Sequence, residues 1–449
     1  MENQKTQTHR SRNWNNIPFS PQKWPFFYGW IIAAVSTIGM LASIPGQTIG
    51  VSVFTDYLIM GLQVSRNQLS ITYMFGTVAG GLLLPAAGKM LDRIGARAML
   101  VISSFGVGVG LFAMSWSGRI SQMVDGYSVI PAMIIISGCF FLLRFFGQGC
   151  LVVVPRVVIG KWFNYYRGLV AAITGTFVTF GFNSAPLFLN RMIQRYGWQN
   201  TSLLLAVVIT GMVGILGWMF YRDNPHICNL SMDGFTHPRK KGDASRKNPP
   251  IARQFTRAKS IRTRAFWAFS SGFAISGFIF TAITFHITSI GQEFGLDRSQ
   301  VYFIFLILPF FSVSASFIGG WLSSRIKHKW LLMAMMGAVI LGSIGALTLH
   351  QLAGQGLFAL GFGTANGLFG VLTIVVWPHF FGHKYLGSIS SLSMSIGIFG
   401  SALGPFVFSA GYEIAGSYKQ VLAACLLAPA IMLLIAPKAD NPQEKILQT

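Results

Sequence analysis

The turn Gly88-Lys89-Met90-Leu91-Asp92-Arg93-Ile94-Gly95-Ala96-Arg97 constrains this chain more than any other stretch. It is wedged between two apolar runs. No charge falls from Leu69 to Gly88 or from Ala98 to Trp116. Each run reaches the roughly 20 residues that a helix needs to cross a bilayer, and a loop this short joins two such helices only as antiparallel neighbours. Gly88 and Gly95 permit close helix approach and a tight backbone. Asp92 offsets part of the local positive charge, while Arg93 and Arg97 hold the turn on the cytoplasmic side.

Apolar runs of this kind recur along the chain. Twelve candidate spans run roughly over 26–56, 68–91, 97–116, 129–158, 167–190, 200–220, 265–290, 300–324, 330–349, 353–377, 385–411 and 418–437. Only 10% of the residues are charged, against roughly 25% in soluble domains, so the outer surface suits lipid rather than water. A net charge of +22 would suggest nucleic acid in a soluble protein. Here the basic residues sit in loops between apolar runs, so the lipid bilayer is the expected partner and nucleic acid is not. Cys139, Cys150, Cys228 and Cys425 have no metal-ligand spacing and read as small apolar residues. The first 25 residues are polar and basic and do not read as a secretory signal.

Lys and Arg set the expected orientation. One set of loops holds Lys5, Arg10, Arg12 and Lys23, then Lys89, Arg93 and Arg97, then Arg156, Lys161 and Arg167, followed by the central loop, Arg325, Lys327, Lys329, Lys384, Lys438 and Lys445. The other set holds only Arg66, Arg119, Arg191, Arg195, Arg298 and Lys419. This asymmetry places both termini and the central loop in the cytoplasm, and the expected setting is a bacterial inner membrane. The expected division is a tail 1–25, a first half 26–220, a central loop 221–264, a second half 265–437 and a tail 438–449. Pro225–Pro250 reads as a flexible linker. Gln254–Arg264 reads either as a helix lying on the inner membrane face or as a solvated linker.

The halves repeat weakly. Gly88–Arg97 pairs with Gly320-Trp-Leu-Ser-Ser-Arg-Ile-Lys-His-Lys329, so Ser324 replaces Asp92 while Arg325 and Lys329 match Arg93 and Arg97. Gly181, Pro186 and Gly197 pair with Gly400, Pro405 and Gly416. Duplicated six-helix halves around a central cavity are an architecture of secondary transporters. The expected fold is an all-α membrane protein with twelve transmembrane helices in two pseudo-symmetric six-helix bundles.

Polar groups inside the spans are few, which makes them site candidates. Arg144 falls near the middle of the fourth span, within Arg144-Phe-Phe-Gly-Gln148-Gly149. An unpaired Arg there costs at least about 2.5–3.5 kcal/mol, so it faces a cavity or a partner. The alternative is a structural Arg bonded to neighbouring carbonyls. Gln47 follows the Pro45-Gly46 break in the first span, where such breaks survive only if protein or water covers the backbone. Asn183 lines the cavity or bonds across helices. His286, in the outer third of the seventh span, donates to an anion, carries a proton, or makes an outer-gate hydrogen bond. Asn366 lies mid-span in Gly361-Phe-Gly-Thr-Ala-Asn-Gly367, whose glycines follow no strand and read as helix packing rather than a phosphate loop. Asp56 and Glu293 lie at outer ends and read as solvated.

Three of these stretches carry a resemblance. The G-x-x-x-D-R-x-G-x-R spacing of Gly88–Arg97 resembles the loop 2–3 signature of the major facilitator superfamily. The spacing of Arg144, Gln148 and Gly149 resembles its fourth-helix signature, and Gly168…Gly175…Gly181-Phe-Asn-Ser-Ala-Pro186 resembles its fifth-helix Gly/Pro signature in a degraded form. The chain is similar to this superfamily over essentially its whole length. Within it, the chain is similar to the monocarboxylate-porter and oxalate/formate-antiporter-like branch. That similarity rests on Phe27-Tyr28-Gly29-Trp30, Val154-Pro155-Arg156 with Lys161-Trp162-Phe163, Arg262-Thr-Arg-Ala-Phe-Trp267, and Trp377-Pro-His-Phe-Phe-Gly382 with Leu386-Gly387. The resemblance implies a carrier working by alternating access, with Arg144 linked to substrate binding or proton coupling.

One departure is plain. Branch members that move small carboxylates tend to carry a cation in the eighth or eleventh span, and Val301–Ser324 and Leu386–Gly411 contain no Lys or Arg. A small organic anion remains the expected solute, with Gln47, Arg144, Gln148, Asn183, His286 and Asn366 as cavity residues. Gly88, Asp92, Arg93, Gly95, Arg97 and Arg325 are the expected gating residues. No span carries a central Asp or Glu, so a proton or other coupling ion has no marked site and uniport stays open. There is no Walker loop, HExxH or nucleophile elbow, so no enzyme activity, cofactor or metal is expected. An exporter of lipophilic or amphipathic compounds and a non-translocating, transporter-like receptor are the rival readings.

Overall fold

The first span is not one helix but two. Helix α1 (Gly29–Leu41) ends in a short 3-10 turn, Ile44–Gly46, and the chain resumes as α2 (Thr48–Leu62). Pro45 lacks an amide donor and cannot continue the ladder, and Gln47 has an extended backbone. In this computed structural model the described residues are 17–64, 66–124, 129–234, 251–296 and 298–448. The linker core 235–250, the basic residues Lys5, Arg10 and Arg12, and the side chains of Asp56, Arg66, Pro186, Arg298, Pro405 and Lys445 lie outside what is described.

Helices α3 (Arg66–Ile94) and α4 (Ala96–Val124) follow, joined at Gly95, whose φ of 88° no residue with a Cβ adopts cheaply. The fourth span is α5 (Ile130–Leu142), a π-helical stretch Leu143–Cys150 and α6 (Leu151–Trp162). The fifth and sixth spans form one run, α7 (Arg167–Val208), turned at Gly197 (φ 78°) and finished by a π turn and α8 (Gly214–Phe220). After the one-turn helix α9 (Arg257–Ser260) come α10 (Arg264–Glu293), α11 (Arg298–Leu322), α12 (His328–Leu347), α13 (Leu352–Phe381) and α14 (Leu386–Ala415). The last span is α15 (Tyr418–Cys425) and α16 (Leu427–Ile435), followed by a 3-10 turn and α17 (Pro442–Gln448). Among the described residues there is no strand, 10 helical segments are long and apolar enough to cross a membrane, and Gly29–Leu41 and Ile307–Leu322 are shorter apolar helices.

Glycine sets how closely these helices pack. In the run Gly361–Gly367, a methyl on Gly361 would overlap the α12 backbone at Gly342 and Ala338. One on Gly363 or Gly367 would overlap the α11 backbone at Leu308 or Ser312. The run therefore lets α13 lie against two neighbours at backbone distance.

Within the first half, α3 and α4 pack on α5, and α1 packs on α6; within the second, α13 packs on α11 and α12, and α10 on α14. Between the halves, α3 meets α14, α7 meets α11, and α6 and α7 meet α13.

The central loop departs from the expectation of a free linker. Pro225–Gly234 is packed: Cys228 is buried, and the Asp233 carboxylate accepts the amides of Asn164, Tyr165 and Tyr166 at 2.7–3.1 Å. Those amides belong to the bend between α6 and α7, so Asp233 ties down the turn that leads into α7 from 67 residues away. Arg222 is buried and donates to the carbonyls of Ile17 and Phe19, tying the first described residues to the end of the first half. The membrane-surface helix expected over Gln254–Arg264 is only the single turn α9. The segment before it is extended and bonded to the second half: the Gln443 side chain accepts the amides of Ala252 and Arg253.

Candidate functional site

The buried polar cluster of the first half forms where the break in span one meets the π stretch of span four. A methyl on Gly46 would overlap the Leu143 carbonyl, so the two backbones touch. The break leaves the Gly46 carbonyl without a helical donor, and Arg144 supplies one: its Nη1 donates to Gly46 O at 3.0 Å and to Thr48 Oγ1 at 3.4 Å. The guanidinium also lies 4.9 Å from the ring centre of Tyr73, whose hydroxyl is 2.9 Å from Thr48 Oγ1. Arg144 is 4% exposed, and no carboxylate bonds it among the described residues. Its Nε and the Oε1 of Gln148 are buried without a partner. Buried polar atoms are ordinarily bonded, so this cluster has one donor and one acceptor to spare. Gln47 stands beside it, its amide donating to Ser43 Oγ at 2.9 Å.

The structure thus brings Gln47, Arg144 and Gln148 together and adds Thr48 and Tyr73. The other candidates lie elsewhere. Asn183 is exposed on α7 and donates to Thr179 O of its own helix at 2.8 Å. His286 sits toward the end of α10, with Nδ1 3.2 Å from the Tyr418 hydroxyl and its ring stacked on Phe408. Asn366 is half-buried on α13, and its side chain has no hydrogen bond among the described residues. Glu293 is exposed yet bonded, accepting the amide of Tyr418 at 2.9 Å.

At the end of the molecule that holds most of the basic loops, here the basic end, the halves are clasped. Asp92, on α3, accepts the amides of Gly387 (2.9 Å) and Ser388 (2.8 Å) and the Ser388 hydroxyl. These amides open α14, whose N-terminus carries partial positive charge. A methyl on Gly88 would overlap Ser391 and the Gly387 carbonyl. Ser395 donates to Gly81 O deeper along the same seam. The expected gating residues divide by partner. Arg97 donates to Tyr221 O (3.0 Å) and Ile17 O (3.1 Å) within its own half. Gly95 fits beneath Asp223, which caps the Ala96 amide. Arg93 is exposed, and Arg325 lies 3.9 Å over Trp321.

The opposite flank is clasped without charge. Gly168 of α7 and Gly320 of α11 meet so closely that a methyl on either would overlap the other's carbonyl. A third contact seats Gly160 of α6 against Pro378 and Leu386. These contacts between halves lie between the basic end and the middle of the helices.

Long apolar helices, halves clasped at one end and a buried cation within the first half define a helical, multi-pass membrane protein. The chain belongs to the major facilitator superfamily, whose sequence profile, described as Major Facilitator Superfamily, matches residues 26–405. An uncharacterized MFS-type transporter of Bacillus subtilis (strain 168), YcxA, is 20% identical over 404 residues, covering 85% of this chain and 88% of that one. The human organic anion transporter MFSD10 shares the fold with a TM-score of 0.64 at 15% identity, over 92% of this chain and 100% of that one. A bacterial homologue of the iron transporter ferroportin, solved in an outward-facing state, superposes with a TM-score of 0.67 at 13% identity, over 91% and 99% of the two chains. The protein is therefore a membrane transporter of a solute and not an enzyme.

Proposed function

We propose that the chain carries a small, monocarboxylate-like organic anion by alternating access. The observation behind this reading is Arg144, a buried cation that no described carboxylate neutralises, beside an unpaired Gln148 oxygen and an unpaired nitrogen of its own. A carboxylate accepts from Arg in a fork geometry, and a protonated or hydroxylated solute would donate to Gln148. Gln47, Thr48 and Tyr73 complete the first-half side of the pocket. Asn366, half-buried on α13 and apart from this cluster, is the candidate contact from the second half, and Asn183 and His286 are candidates for the approach only.

In the same reading the halves 26–220 and 265–437 rock about this pocket, with the basic end facing the cytoplasm. The contacts at Asp92–Ser388 and Gly168–Gly320 close that end, so the conformation described is outward-facing. The turns Gly88–Arg97 and Gly320–Lys329 are its latches.

Counterflow in proteoliposomes tests the proposal. Small carboxylates should compete for exchange, and Arg144→Ala should abolish it while the protein stays folded. Unchanged exchange by the variant would remove Arg144 from the site. Competition by lipophilic compounds but not by carboxylates would favour an exporter of amphipathic molecules. Binding without counterflow would favour a receptor.

A further inference from the structure

A concave site lies apart from the Arg144 cluster, on the flank of the second half at the basic end. It is a cavity of about 640 Å³ between the start of α10 and the end of α16. Two kinds of wall form it. Arg262, Arg264 and Lys438 make one rim; Ile275, Ile431 and Ile435 are among the apolar residues on the other side.

The charge of the rim is not balanced by protein. The acidic groups of the neighbouring C-terminal segment are already taken: Glu444 pairs with Lys327 at 3.0 Å and Asp440 with Lys329 at 2.6 Å. No carboxylate bonds Arg262, Arg264 or Lys438 among the described residues, and all three are exposed. The rim also coincides with the N-terminus of the 30-residue helix α10, capped by Thr263, which adds partial positive charge.

The apolar wall decides which anion fits. Arg264 and Ile275 are eleven residues apart on α10, about 16 Å along the axis at 1.5 Å per residue. Ile431 and Ile435 are 55% and 48% exposed on the facing helix, so the groove opens sideways, where the lipid lies. A free phosphate would use the rim and leave the wall bare. Trp267, 51% exposed with its indole N–H donated to Ile261 O at 2.7 Å, stands at the level where aromatic side chains meet headgroups.

We propose that this groove holds one anionic phospholipid, with its phosphate among Arg262, Arg264 and Lys438 and an acyl chain along Ile275 and Ile431. Such a lipid pins the end of the central loop and the last span to the membrane surface, and so steadies the second half. A basic pocket between helices at this depth is the chemistry that selects acidic headgroups. The inference does not depend on which solute the transporter carries.

The test uses the full-length protein purified in detergent. Phosphatidylglycerol and phosphatidylcholine with identical chains, and inorganic phosphate, are titrated against its melting temperature, and native mass spectrometry counts the lipid bound. Phosphatidylglycerol should raise the melting temperature and bind as one molecule, while the other two leave it unchanged. The variant carrying Arg262→Ala, Arg264→Ala and Lys438→Ala should elute as the parent does and bind phosphatidylglycerol about a hundredfold more weakly, at roughly 1 kcal/mol per cation. Ile275→Gln with Ile431→Gln should weaken the lipid with the cations intact. An equal response to phosphatidylcholine, a response to inorganic phosphate alone, or undiminished binding by the triple variant would overturn the proposal.

Discussion

The Asp92 carboxylate accepts the Ser388 amide at 2.8 Å, although 296 positions separate the two residues. One oxygen serves Ser388 and the other serves Gly387. A single side chain of the first half therefore caps a helix of the second. Asp92→Asn keeps the shape but removes the charge that meets the N-terminus of α14. The expected loss is about 1–2 kcal/mol of the clasped state. Spin-label distances between α3 and α14 at the basic end should show a longer-distance population several-fold larger in the variant.

The Gly168–Gly320 contact leads to a sterically based expectation. Gly320→Val puts a branched side chain where the α7 backbone lies, and the basic end cannot then close on that flank. Spin labels on α7 and α11 at the basic end should report the parted arrangement, and counterflow should fall more than tenfold with expression unchanged.

His383 ties the clasp to pH. It lies in the turn between α13 and α14, half-buried against the first half. Burial first, then the charges of Arg167, Lys161 and His226, push its imidazole from 6.5 down to about 3, against a backbone bond at Gly160 that raises it. Arg93, Lys384, Asp92 and Asp223 line the cavity beside it, which measures about 360 Å³. A lowered value means that the clasped state holds His383 neutral. When the halves part and water reaches the ring, its value returns toward 6.5. The clasp is therefore unaffected above pH 6.5 and weakens as pH falls from 6.5 toward 3, by up to tenfold per unit. Lowering the pH on this face from 7.5 to 5.5 should enlarge the parted population by about tenfold, and His383→Asn should abolish that response. A response that persists in His383→Asn belongs to another group.

Asp233 predicts a stability effect. Its carboxylate serves three successive amides before α7, whereas an Asn side chain offers one oxygen. Asn tolerates the positive φ of 61° found there, so Asp233→Asn isolates the carboxylate's bonds from the backbone. Thermal unfolding should register a loss of about 1–3 kcal/mol.

The helical plan was legible because hydrocarbon leaves a chain few choices: backbone groups must bond internally, so apolar runs of span length become helices. Gln47, Arg144 and Gln148 were legible for a related reason, since polar side chains stand out against such runs. The same rule marked Asn183 and Asn366, which the fold places apart from that cluster. Thr48 and Tyr73 were not legible, because Thr and Tyr are ordinary in membrane helices and only the fold brings them to Arg144. The partner of Asp92 was hidden by distance along the chain, and Asp233 lay in a stretch whose Pro, Gly and charge suggested a linker. A bond from 67 residues away leaves no local pattern to read.

If Arg144 meets the solute as proposed, its bond to the Gly46 carbonyl has a consequence for how cargo is sensed. That carbonyl is exposed by the kink at Pro45, and the guanidinium is the donor that quenches it. An anion that draws the guanidinium away strands a peptide oxygen in a dry surrounding, at a cost of about 1–3 kcal/mol. Straightening or re-bending the first span relieves it. In the proposed reading, loading and the shape of that span are then one event, and the broken first span reads its passenger through a main-chain atom.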